Sequence, residues 1–294
     1  MKLLSYSFNR QETAGVLSPD GKSVVPFSSL GISADNMLAF IQNNGQAQLQ
    51  KMQEQMAFNS SESVPFDQIK LLPPIPVPAQ DIICLGINFL AHAEESARYK
   101  KEAFEKNSTD AVYFSKRVNC AVADGDKIDG HFDMVDSLDY EAELAVIIGK
   151  DANNVALEHA FDYVMGYTIM NDISARNVQT AHKQWYFGKS LDGFTPMGPW
   201  IVTADEFENP PVLQIQSKVN GELRQNSTTG LFITGIAEVI HELSAGFTLK
   251  AGTIIAMGTP AGVGMGFSPP KFMKSGDVVE CGIEGIGTLT NSVK

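Results

Sequence analysis

The stretch DSLDYEAELAVIIGK, residues 136–150, places Glu141 and Glu143 two positions apart in a run that otherwise reads as a buried strand. Strand alternation sends residues i and i+2 to the same face, so the two carboxylates stand about 6–7 Å apart at their Cα atoms. Like charges that close raise each other's pKa unless a positive group faces them. On the residues alone, the pair fits the polar side of a half-buried strand. It equally fits a divalent cation, because hard ions such as Mg²⁺ and Mn²⁺ take carboxylate oxygens. Asp172 offers a third oxygen donor at the end of the strand-like run around Tyr167, Ile169 and Met170, with Asn171 beside it. It also fits a cap for the segment ISARN that follows.

Three further constellations carry polar chemistry. In GINFLAHAEES, His92 and Glu95 are three apart and share a face if the segment is helical. A carboxylate that orients a histidine also makes it more basic, which suits it to take a proton from water. In QWYFGKSLDGF, Lys189 follows a glycine and sits among aromatic residues, but the spacing is not that of a phosphate-binding loop. In AMGTPAGVGMG, a glycine loop after an apolar strand can present backbone N–H groups and the Thr259 hydroxyl to a carboxylate. His131, His159, His182 and His241 read as surface histidines; His241-Glu242 lacks the second histidine of a zinc-protease motif.

The elements that must position these groups are mostly short strands. MKLLSYSFN and TAGVLSPDGKSVVPF read as strands with Asp20-Gly21 in a hairpin turn, and residues 33–56 as one helix capped by Asp35. The prolines at 73, 74, 76 and 78 mark an extended connector. The spacing predicts a small N-terminal domain over 1–72, the connector over 73–79 and a main domain over 80–294. Within the latter, DIICLGINF reads as a strand ending in a glycine turn, and AHAEESARYKKEAFEK as a polar helix or mobile loop. One helix runs from Gly235 to Ala245, closed by Gly246. Many short strands with few helices give a β-rich, α+β class.

Composition narrows the partners. A net charge of −12 argues against nucleic acid and anionic membrane. No apolar run is long enough to span a bilayer, and the N-terminus lacks a signal-peptide core, so a cytoplasmic protein is expected. Cys84, Cys120 and Cys281 are odd in number and widely spaced, as reduced thiols are.

Taken in order, LGINFLAHAEE, DYEAELAVIIGK, GYTIMNDISARNVQ, GKSLDGFTPMGPW, VNGELRQNSTT, GTIIAMGTPAGVG and GDVVECGIEGIGTLTN resemble the fumarylacetoacetate hydrolase family over about residues 80–294. The resemblance implies a mixed β-roll catalytic domain, usually in a homodimer. It also implies a Mg²⁺ (or Mn²⁺ or Ca²⁺) held by Glu141, Glu143 and Asp172. It makes His92 and Glu95 a water-activating pair on a segment that often orders as a lid, and Lys189 the group that polarises the substrate. Arg176, Gln179 and Thr259 fall where family members line the pocket; Lys116 and Arg117 are candidate contacts for the far end of the substrate. One departure is evident: the fumarylacetoacetate-cleaving enzymes carry a further Asp ligand on the strand before the histidine, whereas the only acid near DIICLGINF, Asp81, lies too early. The chain is closer to the shorter bacterial-type members. The implied substrate is a small anionic 2-oxo acid. The leading expectation is metal-dependent hydrolysis of a C–C bond in a 2,4-dioxo acid such as an acylpyruvate, through an enolate. The alternatives are oxaloacetate decarboxylation, isomerisation or decarboxylation of a 2-hydroxyhepta-2,4-diene-1,7-dioate, and non-catalytic binding of a 2-oxo acid.

Overall fold

A computed structural model of the chain describes residues 1–43, 45–56, 63–100 and 110–294. The N-terminal part supplies β1 (Lys2–Phe8), β2 (Gln11–Leu17), β3 (Ser23–Pro26), α1 (Met37–Gln42), α2 (Gly45–Met56), β4 (Val64–Pro65) and β5 (Lys70–Leu72). The chain continues through β6 (Ile82–Gly86), α3 (Leu90–Lys100), β7 (Val112–Lys116), β8 (Lys127–Ile128), β9 (Leu138–Asp139) and β10 (Ala142–Ile148). Next come β11 (Val164–Asn171), β12 (Ser174–Ala175), α4 (Arg176–Ala181), α5 (Tyr186–Lys189) and β13 (Met197–Thr203). The last elements are β14 (Gln214–Val219), β15 (Glu222–Thr228), α6 (Ile236–Gly246), β16 (Ile254–Ala256), β17 (Val278–Ile283) and β18 (Gly287–Val293).

The strands form an eleven-stranded sheet in the order β4-β3-β2-β1-β13-β11-β10-β16-β6-β7, with β5 also on β1, and a five-stranded sheet β15-β14-β17-β18-β8. Pairing is antiparallel except for β16 with β6 and β18 with β8, so the roll is mixed. Strand β10 lies near the middle of the large sheet and is buried along its whole length. Its apolar run is what burial on both faces demands. Leu144, Val146 and Ile148 pack into the core shared with Ile215, Cys281 and Leu289 of the smaller sheet. Ala145 and Ile147 face the other way, into a core with Leu3, Phe40 and Ile41.

That second core changes the picture of residues 1–72. They were expected to form a small separate domain; their strands instead extend the large sheet, with Leu3 opposite Ile201 where β1 pairs with β13. The single helix expected over 33–56 is two, α1 and α2, and the cap is Asn36, whose side chain accepts from the Ala39 N–H at 2.8 Å; Asp35 is not the cap. The turn through Asp20 and Gly21 does join β2 to β3. Of the polar segment after His92, residues 91–100 lie in α3, and the continuation over 101–109 lies outside the described residues. No helix among the described residues is long and apolar enough to cross a membrane.

Because Leu3 is fully buried in the shared core, Leu3→Ala should cost about 2–5 kcal/mol. Urea unfolding should show one transition with a lowered midpoint; two transitions, the later one unmoved, would mean that the N-terminal strands fold apart.

Candidate metal centre and active site

The register of β10 and β11 brings the three acids together. Glu143 pairs with Met170, and the Asp172 N–H donates to the Glu141 carbonyl at 2.9 Å, so Asp172 stands across from Glu141. By alternation, Glu141 and Glu143 share the face of Ala145 and Ile147, and Asp172 that of Met170. One carboxylate oxygen from each lies within 4.8 Å of the others, and all three residues are buried.

Three cations answer them. Lys189, at the end of α5, donates to Glu141 Oε2 at 2.5 Å and to Asp172 Oδ2 at 2.6 Å. Arg176, at the start of α4, reaches Glu141 Oε1 at 2.7 Å and Asp139 Oδ2 at 2.9 Å. Lys116, fully buried at the end of β7, reaches Asp172 Oδ1 at 2.7 Å and the carbonyl of Lys189 at 2.5 Å. Burial alone would push the Glu141 carboxyl up, but the Lys189 and Arg176 charges overcome it and hold it below the ordinary carboxylate range. Glu143 goes the other way: burial, then the negative charges of Asp172 and Glu141, push it well above that range. Its direct donor among the described residues is the Gly258 N–H at 2.8 Å. An oxygen-only cluster with one carboxylate short of positive charge fits a hard divalent cation.

The glycine loop after β16 serves protein carboxylates. Gly258 donates to Glu143, Gly262 to Glu95 at 3.0 Å, and Gly264 and Met265 to Asp139 at 2.6 and 3.0 Å. The Thr259 hydroxyl donates to the Ala142 carbonyl at 2.9 Å and accepts from Gln225 at 2.7 Å, so β10, the loop and Gln225 are tied together. Gly266 is required where it stands, because a Cβ there would collide with the Glu95 carboxylate.

His92 and Glu95 are both buried on α3, and Nδ1 lies 3.1 Å from Glu95 Oε2. In the tautomer in which Nδ1 donates to Glu95, Nε2 is left as an acceptor. The chain enters α3 through Ile87, whose φ of 59° is the left-handed region. For a β-branched residue that conformation costs on the order of 1–3 kcal/mol and is found where a site imposes it. Asn88 holds the bend, donating to the Met257 and Thr234 carbonyls at 2.9 and 3.0 Å and accepting from the Thr234 N–H at 2.8 Å.

These groups surround a cavity of about 600 Å³, lined by His92, Glu141, Glu143, Arg176, Gln179, Lys189 and Thr259 among others. Two expected substrate contacts lie elsewhere. Arg117 is exposed and pairs with Asp81 at 3.4 Å, and Lys116 lies beneath the floor, where it positions Asp172. Adjacent strand residues face opposite ways, so only one of the two could have reached the site. Residues that sequence reasoning missed are Asp139, Gln225 and the aromatic wall of Phe114 and Trp185, whose ring centroids are 5.3 Å apart. Asp139 had a signal, since it continues the i, i+2 series of Glu141 and Glu143. On β6 the buried side chains of Ile82 and Cys84 face the same core as the acids, and burial holds the Cys84 thiol well above the ordinary range, hence neutral.

The family model described as "Fumarylacetoacetate (FAA) hydrolase C-terminal" matches residues 81–294. The chain belongs to the fumarylacetoacetate hydrolase family. Among its relatives, the oxaloacetate tautomerase YisK of Bacillus subtilis (strain 168) is 46% identical over 226 residues, 77% of this chain and 73% of the relative. Among solved structures, a fumarylacetoacetate hydrolase from Exiguobacterium antarcticum is 36% identical, with a TM-score of 0.85 over 100% of this chain and 99% of that one. A maleylpyruvate hydrolase from Sphingobium sp. SYK-6, in complex with manganese(II) and pyruvate, is 26% identical, with a TM-score of 0.78 over 100% and 98%. The mixed, sheet-rich architecture described above is that of this family.

Asp139 neutralises the buried Arg176 and anchors the glycine loop. Removing one partner of a buried pair typically costs about 3–5 kcal/mol. Asp139→Asn should therefore reduce the unfolding free energy by that order and lower the urea midpoint, and adding Arg176→Met should recover part of the loss. A variant as stable as the parent would remove Asp139 from this role.

Proposed function

We propose that the chain is a divalent-cation-dependent enzyme of small 2-oxo acids that works by enolisation, and that interconversion of the keto and enol forms of oxaloacetate is its reaction. The observation that carries this reading is a cavity lined by His92, Glu141, Glu143 and Lys189, with Asp172 beside the two glutamates and Glu95 behind the histidine. The identity of 46% to an oxaloacetate tautomerase supports the choice of substrate. Glu141, Glu143 and Asp172 would hold Mg²⁺ or Mn²⁺, which supplies Lewis-acid stabilisation of negative charge on the substrate oxygens.

The chain's own groups then have separate tasks. His92 Nε2 takes a proton from the carbon beside the 2-oxo group, and Glu95 stabilises the imidazolium that results. The C–H electron pair becomes the C=C bond, and charge moves onto the 2-oxo oxygen. Lys189 offsets that charge, and a proton returned to oxygen completes the enol; the reverse sequence restores the ketone. Phe114 and Trp185 wall the cavity and exclude water from the enol.

A second reading has its own support. With a water at His92 Nε2, the same base would deliver hydroxide to the distal carbonyl of a 2,4-dioxo acid, breaking the C–C bond with a pyruvate enolate as leaving group. The likeness over the whole chain to a fumarylacetoacetate hydrolase favours it. The test is to follow three signals with one preparation: enol–keto conversion of oxaloacetate by absorbance, CO₂ release from oxaloacetate, and pyruvate release from an acylpyruvate. The proposal expects the first to be fastest. Pyruvate release outrunning it would establish the hydrolase reading, and dominant CO₂ release a decarboxylase.

EDTA should abolish the activity and added Mg²⁺ or Mn²⁺ should restore it; full activity after exhaustive chelation would contradict the cation's role. His92→Ala should slow enolisation by about 10²–10⁴. Calorimetric Mn²⁺ affinity should stay close to that of the parent, because His92 is not a proposed ligand; an unimpaired rate in the variant would take His92 out of the mechanism.

A further inference from the structure

The cavity carries a second cationic position, away from the carboxylate floor. Of the cations that line it, Lys189 and Arg176 are already committed to Glu141, Asp172 and Asp139. Lys183 is not: it is exposed on the segment between α4 and α5, and no carboxylate pairs with it among the described residues. His182 lies beside it, also exposed and lining the cavity, with its ring against Phe187 at 5.6 Å between centroids. The only acids in the lining among the described residues are Glu141 and Glu143, both at the buried floor. The cavity thus has an inner end built for a cation and an outer end with an unpaired ammonium.

The rest of the molecule makes that ammonium consequential. With a net charge of −12, the chain repels a dianion, and local positive charge at the mouth is what offsets that repulsion. A 2-oxo monocarboxylate has its only charged group at the inner end and gives Lys183 nothing to hold. A 2-oxo dicarboxylate carries a second carboxylate at its far end, which a lysine ammonium recognises by a charge-assisted hydrogen bond.

We infer that Lys183 is a specificity residue that binds the distal carboxylate of a 2-oxo dicarboxylic acid, so that the site selects dicarboxylates over monocarboxylates of the same length. This rests on the proposed function, in that the 2-oxo acid end must sit on the carboxylate floor. Since the contact is made in the ground state and the transition state alike, its loss raises KM and leaves kcat nearly alone.

The experiment compares the parent with Lys183→Met and Lys183→Arg on a matched pair, oxaloacetate and 2-oxobutanoate. Enolisation of the first is read by absorbance and of the second by deuterium exchange at C3. Calorimetric binding of oxamate and of N-oxalylglycine, in the presence of Mg²⁺, gives a readout without turnover. For Lys183→Met, the rise in KM for oxaloacetate should exceed that for 2-oxobutanoate by about tenfold, equivalent to about 1.4 kcal/mol. N-oxalylglycine, which carries a distal carboxylate, should lose affinity by the same factor relative to oxamate, which has none. Lys183→Arg should restore most of both. Equal effects on the two members of each pair, or none, would overturn the assignment of Lys183 while leaving the proposed function intact. A parent protein that neither enolises the two acids nor binds oxamate would overturn the proposed function and this inference with it.

Discussion

The structure depends on a balance of buried charge. Glu141, Glu143, Arg176 and Lys189 line the floor of the cavity, Asp139, Asp172 and Lys116 join them in one network of ion pairs, and every one of the seven side chains is buried. Charges taken out of water are costly unless geometry and hydrogen bonds compensate them. Here Arg176 bridges Asp139 to Glu141, Lys189 bridges Glu141 to Asp172, and Lys116 closes on Asp172 from below. Among the described residues no lysine or arginine pairs with Glu143 in this way, and its carboxyl is the one pushed up. A divalent cation would complete the balance at that point, which makes the metal reading a consequence of electrostatics as well as of family.

The fold is arranged around keeping those groups dry and in register. Strand β10 is covered on one face by the smaller sheet and on the other by the N-terminal strands and helices. The family match begins at residue 81, yet the residues before it wall the face on which the acids stand. The loop after β16 directs its amides at Glu143, Glu95 and Asp139, and so couples the carboxylate floor to the His92–Glu95 pair through backbone geometry. Small residues are needed there because larger ones would enter space held by Glu95.

What the sequence made legible follows the range of the interactions involved. Period-two alternation within one strand located Glu141 and Glu143, and the i, i+3 spacing on one helix located His92 and Glu95. Asp172 and Lys189 came from their settings, an acid closing an apolar strand and a lysine after glycine among aromatics. The residues and elements that local patterns misplace all need information from elsewhere in the chain. Whether Lys116 or Arg117 turns inward is decided by the partners β7 finds, and the N-terminal strands look independent until β1 meets β13, some two hundred residues away in sequence. The break between α1 and α2 falls beside Asn43-Asn44-Gly45, a helix-weakening run that amphipathic patterning alone does not register. Lys116 and Arg117 are the local candidates for the substrate's distal end, whereas the exposed lysine that lines the cavity is Lys183, a position no local pattern marks.

The central claim is that the three carboxylates bind one divalent cation. Lys189 bridges Glu141 and Asp172. The most direct measurement is a crystal structure grown with Mn²⁺ and oxalate, with anomalous data collected to locate the ion. The account predicts one strong anomalous peak within about 2.6 Å of a carboxylate oxygen from each of Glu141, Glu143 and Asp172, with oxalate completing its coordination. A site without anomalous density, its carboxylates still bridged only by Lys189 at saturating Mn²⁺, would contradict it.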